Sequence, residues 1–266
     1  MTRLQRRYSN SGCYHIMLRG NERKNIFLDD EDRLRFINSV NKKQTDNKLI
    51  LYAYCLMDNH VHLALKDTNN DISILMKGIA TSYAMHFNKK YGRVGHVFQG
   101  RYRSEVIEND SYLLAVIRYI HQNPKKAFLV QRAEQYQWSS YQWYLEPNRE
   151  EATIVDVQYI LKIFAEDQND AINEFIRFSS GNNNDTNPYM DDNEGDGTIR
   201  TIQDGKVYLH NYLNQNWPEM SLDMIKTDKN FRTTVIRNLR TNTNLSVVCI
   251  AKLLGINRGM VERVRP

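Results

Sequence analysis

The 266-residue sequence predicts an α+β fold: a ferredoxin-like split βαβ antiparallel sheet with helices, followed by an all-α helix-turn-helix domain. Strand and helix periodicities alternate over the first 145 residues in the order β-α-β-β-α-β-α, the split βαβ arrangement with one added helix. Beyond residue 200 the pattern is helical. Residues 181–197 lie between these regions and are polar, acidic and almost free of aliphatic side chains, which indicates a linker or flexible loop.

Four elements open the predicted sheet. Residues 14–20 (YHIMLRG) predict a strand, and residues 29–46 predict a helix with an acidic first turn. Residues 48–58 are rich in strand-forming side chains, and residues 60–67 form a second such run. The Asp-Asn pair between these runs favours a tight turn, so together they predict a β-hairpin.

Three further elements complete the order. Residues 71–92 have helical spacing, with an aspartate at the start and a glycine at the end, and residues 101–109 predict a strand. Residues 110–124 predict a helix that stops before Pro124, because a proline disfavours the helical conformation of the residue before it. One or two more helices are expected within residues 151–178.

The charge distribution indicates a polyanionic partner such as nucleic acid. Basic residues outnumber acidic ones by 22 to 13 in residues 1–145 and by 10 to 5 in residues 201–266, whereas acidic residues lead by 13 to 4 in residues 146–200. We therefore expect two polyanion-binding modules, 1–150 and 201–266. Residues 151–200 between them are expected to be helical and then an acidic flexible linker.

Cysteine usage and hydropathy favour a cytoplasmic location. The three cysteines, Cys13, Cys55 and Cys249, are odd in number and far apart, which argues against a disulfide framework or a thiolate zinc site. The N-terminal segment MTRLQRRYSNSG lacks the apolar run of a signal peptide, and no run of 18 apolar residues occurs. No membrane partner is expected.

Two histidines in the hairpin, His60 and His62, suggest a metal site. Residues i and i+2 of a strand point to the same face, so both imidazoles share one side of the sheet. Tyr119 and Asn123 lie one helical turn apart in RYIHQNP and therefore share a helix face. If that helix packs beside the histidines, two imidazole nitrogens and an amide oxygen can hold Mg²⁺ or Mn²⁺.

A tyrosine beside such a cation suits phosphodiester chemistry. The cation would polarise the scissile phosphate, and Tyr119 would attack it to give a covalent phosphotyrosine. A free 3′-hydroxyl could then attack this product, so strands would be cut and rejoined without ATP. Tyr112, at the start of the same helix, is the rival nucleophile. His121 is expected to face solvent or DNA.

Four segments occur in the order found in single-tyrosine HUH transposases: MDNHVHLAL, GRVGHVFQGRYRS, NDSYLLAVIRYIHQNPKKAFLV and QYQWSSYQWY. Residues 8–145 resemble the branch of REP-associated tyrosine transposases. The resemblance implies a metal-dependent endonuclease and strand transferase that acts on single-stranded or hairpin DNA through a 5′-phosphotyrosine intermediate. It implies metal ligation by His60, His62 and Asn123, with Gln122 as the second choice for the third ligand, and nucleophilic attack by Tyr119.

Other functions stay open from the sequence. One is a catalytically inactive DNA-binding regulator derived from a transposase, against which the intact His-x-His and Tyr-x-x-x-Asn sets argue. Another is an HUH replication initiator or relaxase, but no helicase motif or nucleotide-binding loop is found. Whether the active protein is a monomer or a homodimer is also open, as is whether Tyr119 serves its own chain's metal site or a partner's.

Basic residues near the strand predicted at 101–109 are expected to contact single-stranded DNA. Interleaved cations and aromatic rings suit a strand whose bases stack and whose phosphates need counter-charges. The expected contacts are Arg101, Tyr102, Arg103, Lys89, Lys90, Arg93 and, after the catalytic helix, Lys125.

The C-terminal module is expected to bind duplex DNA. Residues 245–264 predict a helix, a turn centred on Gly255 and a second helix beginning at Asn257, the spacing of a helix-turn-helix unit. The second helix would offer Arg258 and Arg263 to a major groove. Residues 224–264 are similar to the duplex-binding domain of the replication initiator DnaA; a helical hairpin without a DNA role is the alternative.

Overall fold

The computed structural model describes residues 8–46, 48–181, 199, 202–221 and 223–265. Contacts divide the chain into two compact units, one formed by Met1–Lys125 and Val130–Met190, the other by Lys126–Leu129 and Asp191–Pro266. Apart from Gly181, the acidic linker predicted at 181–197 lies outside the described residues.

The first unit is built on a four-stranded antiparallel sheet of β1 (Cys13–Arg19), β2 (Leu49–Met57), β3 (His60–Asp67) and β4 (Arg103–Ile107). The spatial order is β2-β3-β1-β4, and each neighbouring pair is antiparallel. This is the order of a split βαβ sheet, in which β3 lies between β1 and β2, and β1 lies between β3 and β4. The predicted α+β class is therefore confirmed, with β1 and β3 at the centre of the sheet.

Helices α1 (Asp30–Thr45) and α2 (Ile72–Lys90) connect these strands and pack against each other. The carboxylate of Asp29 caps α1 by accepting the Asp32 backbone N–H, one of the donors that has no partner within the helix. Between the helices, the rings of Phe27, Phe36 and Tyr83 meet edge to face, with centroids 5.4 to 5.8 Å apart. These rings form part of the buried core.

Helix α3 (Asp110–Lys126) runs two residues past Pro124, so the expectation that it stops before this proline is wrong. Pro124 lies in the last turn, where its missing N–H removes a single backbone hydrogen bond, and its ring is buried. Tyr119 and Asn123 consequently both lie within the helix, and their i, i+4 spacing is preserved.

Three shorter helices complete the described part of the first unit: α4 (Tyr141–Leu145), α5 (Val157–Lys162) and α6 (Gln168–Ser180). Phe175 of α6 stacks on Tyr144 of α4 with centroids 4.4 Å apart, and His121 of α3 meets both rings edge-on. These contacts include residues 157–180 in the first unit, beyond the boundary predicted at residue 150.

The segment before α4 covers the outer edge of β2. Leu56 donates its backbone N–H to the Trp138 carbonyl at 2.9 Å, and Ser140 donates to the Tyr54 carbonyl at 3.0 Å. An edge strand with free backbone groups would invite pairing with another chain, so this cover closes one side of the sheet.

The second unit contains helices α7 (Ile202–Asn216), α8 (Met224–Thr227), α9 (Lys229–Asn242), α10 (Val247–Leu254) and α11 (Arg258–Glu262). Ile250 and Val261 are fully buried in its apolar core. Helix α10 ends at Gly255, whose φ of 62° lies in the left-handed region that favours glycine, and Asn257 caps α11. These two helices lie where the sequence predicts them; the helix-turn-helix assignment and the likeness to DnaA stay predictions.

Within the described ranges, no helix combines the length and apolar composition that crossing a bilayer requires.

Candidate active site

The central strands place two imidazoles on one face of the sheet. His60 and His62 are separated by one residue of β3, so their side chains share a face, as predicted. In the pairing of β1 with β3, His60 lies opposite Arg19 and His62 lies opposite Met17. Both histidines are enclosed, His60 at 8% exposure and His62 at 1%.

Hydrogen bonds orient the His60 ring. Its Nδ1 lies 2.7 Å from Asn59 Oδ1, while Asn59 Nδ2 donates to the Arg23 carbonyl at 3.3 Å. Because an amide oxygen only accepts, Nδ1 of His60 carries the proton in this arrangement and Nε2 keeps its lone pair. The lone pair of Nε2 is therefore available to a cation, with Asn59 supporting the ring from behind.

His62 is held in its neutral form. Its Nδ1 lies 3.0 Å from His15 Nε2, and the two rings stack with centroids 5.2 Å apart. Burial lowers the pKa of His62 well below its usual value, and the neighbouring His60, His15 and Arg19 act in the same direction. The neutral imidazole is the form that ligates a metal.

Helix α3 brings the Asn123 amide between the two histidines. Asn123 Oδ1 lies 3.4 Å from His60 Nε2, and Asn123 Nδ2 lies 3.4 Å from His62 Nε2. An amide has one accepting and one donating end, so it can satisfy only one of two imidazole lone pairs. When His62 Nε2, like His60 Nε2, carries a lone pair, the other contact joins two acceptors, and a cation bound to both nitrogens and the amide oxygen would remove that mismatch.

These three residues therefore fit the predicted Mg²⁺ or Mn²⁺. Among the described residues, those of this site included, no group of three or more His, Cys, Asp or Glu side chains could hold a metal ion. The Asn123 amide oxygen is therefore the candidate for the third protein ligand.

Tyr119 lies one helical turn before Asn123, beside the same histidines. Its ring meets His62 edge-on with centroids 5.5 Å apart, and it meets His15 in the same way at 5.7 Å. Tyr119 is 5% exposed. The two imidazoles, the amide and the phenol that the sequence singled out are thus brought together within one chain.

The alternatives considered from the sequence point elsewhere. The hydroxyl of Tyr112 donates to Glu105, and Gln122 Nε2 donates to the Ser179 carbonyl at 2.7 Å. Gln122 is therefore directed away from the histidine pair, and the choice of Asn123 as the third ligand agrees with the geometry.

The expectation that His121 faces solvent or DNA is wrong. His121 is fully buried, and its Nε2 lies 2.8 Å from Ser140 Oγ. Burial lowers the pKa of His121 to about 3, so the ring is neutral. Helices α4 and α6 cover this side of α3, and their packing could not be read from the local sequence.

Three residues beside the site were missed by sequence reasoning: Asn59, His15 and Glu105. Asn59 directly precedes His60, and its polar side chain in the turn was the available signal. His15 and Glu105 face each other across β1 and β4. They are 90 positions apart in the chain, so no local pattern joins them, although His15 was visible as a polar residue in a strand.

The basic residues near β4 differ in their exposure. Arg101 and Arg103 are exposed, as predicted for contacts with phosphates. Tyr102 between them is only 7% exposed, and its hydroxyl lies 3.3 Å from Ser73 Oγ. The Tyr102 ring is thus buried in this conformation, and its predicted contact with DNA stays a prediction.

The basic residues of α2 and its C-terminal loop also fall into two classes. Lys89 and Arg93 are exposed, as is Lys125 at the end of α3. The Lys90 ammonium instead lies 2.8 to 3.1 Å from carboxylate oxygens of three acidic residues at the start of α1: Asp29, Glu31 and Asp32. Lys90 thus forms ion pairs within the protein, and its contact with DNA stays a prediction.

In the second unit, Arg258 and Arg263 are exposed. Arg258 Nε lies 2.7 Å from Glu262 Oε1, and Arg263 Nε donates to the Gly259 carbonyl at 2.9 Å. A guanidinium has five N–H donors, so these contacts orient both side chains and leave other donors for a further partner.

Comparisons with known proteins show what the chain is similar to. The family model described as "Transposase IS200 like" matches residues 9–123, which include His60, His62, Tyr119 and Asn123. The resemblance of this part of the chain to a transposase family, expected from the sequence, is therefore confirmed. A comparison with curated proteins gave no match.

Two solved structures are similar to the chain. One is a REP-associated tyrosine transposase bound to a REP hairpin, with 18% identity, a TM-score of 0.47, and coverage of 55% of this chain and 86% of that chain. The other is a candidate transposase from Deinococcus radiodurans R1, with 21% identity, a TM-score of 0.33, and coverage of 46% of this chain and 97% of that chain.

Proposed function

We propose that the protein is a metal-dependent DNA strand transferase, a proposal that starts from the match of residues 9–123 to the IS200-like transposase family model. It nicks and rejoins single-stranded or hairpin DNA through a 5′-phosphotyrosine on Tyr119. One observation carries the proposal: the Nε2 atoms of His60 and His62 meet the Asn123 amide beside the Tyr119 ring.

The residues divide the chemistry between them. His60, His62 and Asn123 would hold Mg²⁺ or Mn²⁺, which when bound supplies electrostatic stabilisation for the charge that develops on the phosphate. The phenol oxygen of Tyr119 attacks the phosphorus and gives up its proton, while the bond from phosphorus to the 3′-oxygen breaks. The departing 3′-oxygen takes up a proton, so the product is a 5′-phosphotyrosine and a free 3′-hydroxyl.

Rejoining is the reverse reaction. A 3′-hydroxyl attacks the phosphotyrosine phosphorus and releases Tyr119, so no external energy source is needed. Tyr119 is 5% exposed in the free protein, and an intermediate that stays enclosed in this way would be protected from hydrolysis.

The exposed cations would guide the strand to this site. Arg103 pairs with Met17 on β1, and Met17 pairs with His62 on β3, so Arg103 shares the face of the histidines. Its guanidinium suits a phosphate near the scissile bond. Arg101, Lys89, Arg93 and Lys125 would bind phosphates further along the strand.

The second unit, in this proposal, binds duplex DNA through α11 and the cations Arg258 and Arg263. The net positive charge of residues 201–266, with 10 basic and 5 acidic residues, supports this role. Binding of a hairpin stem by one unit would raise the effective concentration of the flanking single strand for the other. Deletion of residues from about 200 onward should therefore weaken hairpin binding and spare nicking of short single strands.

The experiment uses end-labelled hairpin DNA with Mn²⁺ and denaturing gels. A 5′-phosphotyrosine joins the protein to the fragment that carries the original 3′ end, so 3′-labelled DNA should give a labelled protein band. The same DNA labelled at its 5′ end should give a shortened free fragment. Tyr119→Phe should form no labelled protein, whereas Tyr159→Phe, which removes a partly exposed hydroxyl from α5, should behave as the wild type.

Two results would overturn the assignment. A labelled band that survives in Tyr119→Phe removes Tyr119 from its role. If the band survives in Tyr119→Phe and is lost in Tyr112→Phe, that role passes to Tyr112. An absence of any adduct or cleavage in the wild type with either metal would favour the regulator derived from a transposase.

A further inference from the structure

We propose that His15 and Glu105 are positioning residues that hold His62 in its metal-binding tautomer. The inference rests on the proposed metal-dependent function and names two residues of the site that the chemistry itself does not use. It is carried by a row of side chains across three strands, by the distances within that row, and by two buried polar atoms left without another partner.

The row is built by strand register. Glu105 of β4 lies directly opposite His15 of β1, and His15 lies opposite Ala64 of β3, two residues from His62. Directly paired residues of neighbouring strands share a face, and so do residues two apart on one strand. Glu105, His15 and His62 therefore lie side by side on the face that α3 covers.

The contact between the two imidazoles allows two proton arrangements. His15 Nε2 and His62 Nδ1 are 3.0 Å apart, so one nitrogen donates and the other accepts. If His62 Nδ1 donates, His62 Nε2 keeps the lone pair that faces Asn123 and can bind a cation. If His15 Nε2 donates, neutral His62 carries its proton on Nε2, and that nitrogen cannot be a ligand.

Glu105 selects the first arrangement. In that arrangement His15 carries its proton on Nδ1, which lies 3.9 Å from Glu105 Oε2. Both atoms are buried, and within the described residues neither has a hydrogen-bond partner. In the second arrangement a bare Nδ1 lone pair would face the carboxylate, which is repulsive in a buried setting. A shift of about 1 Å would close the favourable contact into a hydrogen bond.

The carboxylate is itself fixed. The Tyr112 hydroxyl donates to Glu105 Oε1, which leaves Oε2 directed at His15. Burial alone would raise the pKa of Glu105, but the interactions with His15 and Tyr112 outweigh burial and the pKa is lowered, so the carboxylate is ionised. By holding Glu105, Tyr112, the rival nucleophile, supports the metal site indirectly.

The test measures Mn²⁺ affinity of the full chain without DNA, by titration calorimetry. Residues that orient a metal ligand typically change metal affinity by about 10 to 100-fold when replaced. His15→Leu removes the acceptor for His62 Nδ1 and should weaken Mn²⁺ binding by about 10-fold or more. His15→Gln retains an oxygen that can accept this proton and should recover most of the affinity. Glu105→Gln, which no longer selects the His15 tautomer, should weaken binding as well.

Three further measurements separate the outcomes. His210→Gln, in the second unit, is the matched control and should bind as the wild type, and circular dichroism should show that each variant is folded. Long-range ¹⁵N NMR of the histidine rings should find the His62 proton on Nδ1 in the wild type and a mixture of tautomers in Glu105→Gln.

Folded His15→Leu with unchanged Mn²⁺ affinity would overturn the inference and leave the proposed function standing. A His62 proton found on Nε2 in the metal-free wild type would also overturn it. If instead the wild type binds no Mn²⁺, or His62→Ala binds Mn²⁺ as tightly as the wild type does, the proposed metal-dependent function is itself contradicted.

Discussion

The first unit buries ionisable side chains against one another, whereas the second unit has an apolar core and carries its cations outside. His15 and His62 are at most 1% exposed, and each has the other as a partner. In the second unit Ile236 and Leu239 are at most 1% exposed and Arg258 is on the surface. Buried polar groups depend on one geometry, while surface charges act through solvent over longer distances. The two units should therefore respond differently to substitution.

The largest effect is expected at the buried histidines. In the proposed function His62→Ala removes one of three protein ligands of the metal, so nicking of single-stranded DNA should fall by about 100-fold or more at saturating Mn²⁺. Initial rates on a short labelled strand measure this loss. His210→Gln should keep the wild-type rate. A His62→Ala rate within a few-fold of the wild-type rate would contradict the expectation that the buried histidines of the first unit are the most sensitive to substitution.

The next effect separates stability from chemistry. Ile236→Ala leaves a cavity in the core of the second unit and should lower its free energy of unfolding by about 2 to 5 kcal/mol. Urea unfolding followed by tryptophan fluorescence reports this change, because Trp217 packs against the same core. Nicking of a short single strand should be unchanged. A parallel loss of nicking would mean that the catalytic unit depends on the fold of the second.

A graded effect is expected for the exposed cations of the second unit. The double variant Arg258→Ala/Arg263→Ala should weaken hairpin binding, with a salt dependence (the slope of log K against log salt) reduced by about 2, one for each phosphate that is no longer neutralised. Binding measured by fluorescence anisotropy from low to moderate salt gives the slope. An unchanged slope would remove these arginines from the DNA interface.

The smallest effect compares two adjacent lysines. Lys90→Met removes the ion pairs at the start of α1 and should lower the thermal midpoint, whereas Lys89→Met should leave the midpoint unchanged and weaken DNA binding instead. Hydrogen bonding from Lys90 is the main reason that the pKa of Asp29 is lowered from 3.8 to about 2.

The pH dependence of this pair has a definite sign. A carboxyl with a depressed pKa in the folded state stabilises the fold above pH 3.8, and the contribution is lost as pH falls towards about 2. The difference in thermal midpoint between wild type and Lys90→Met should therefore shrink over this interval. A difference that stays constant down to pH 2 would contradict the ion-pair role.

Local periodicity was sufficient for the order of elements and for the pairs His60/His62 and Tyr119/Asn123. Each pair is defined by a spacing of two or four residues, which secondary structure alone converts into a shared face. The position of Pro124 inside α3 was misjudged because a proline in the last turn costs only one backbone hydrogen bond there.

Exposure and cross-strand neighbours could not be read in this way. Tyr102, Lys90 and His121 were all assigned to the surface, but α2, the start of α1 and the helices α4 and α6 supply their partners. His15 and Glu105 become neighbours only through the pairing of β1 with β4. Such neighbours depend on the whole sheet, and one sequence contains no local pattern for them.

The central claim is that Tyr119 becomes covalently attached to DNA. Trypsin should release this residue in the peptide YIHQNPK, residues 119–125, which has one tyrosine, while Tyr112 falls in the preceding peptide. After reaction with hairpin DNA and nuclease trimming, mass spectrometry should find the nucleotide phosphate on this peptide. A nucleotide on any other peptide, with 119–125 unmodified, would contradict the account.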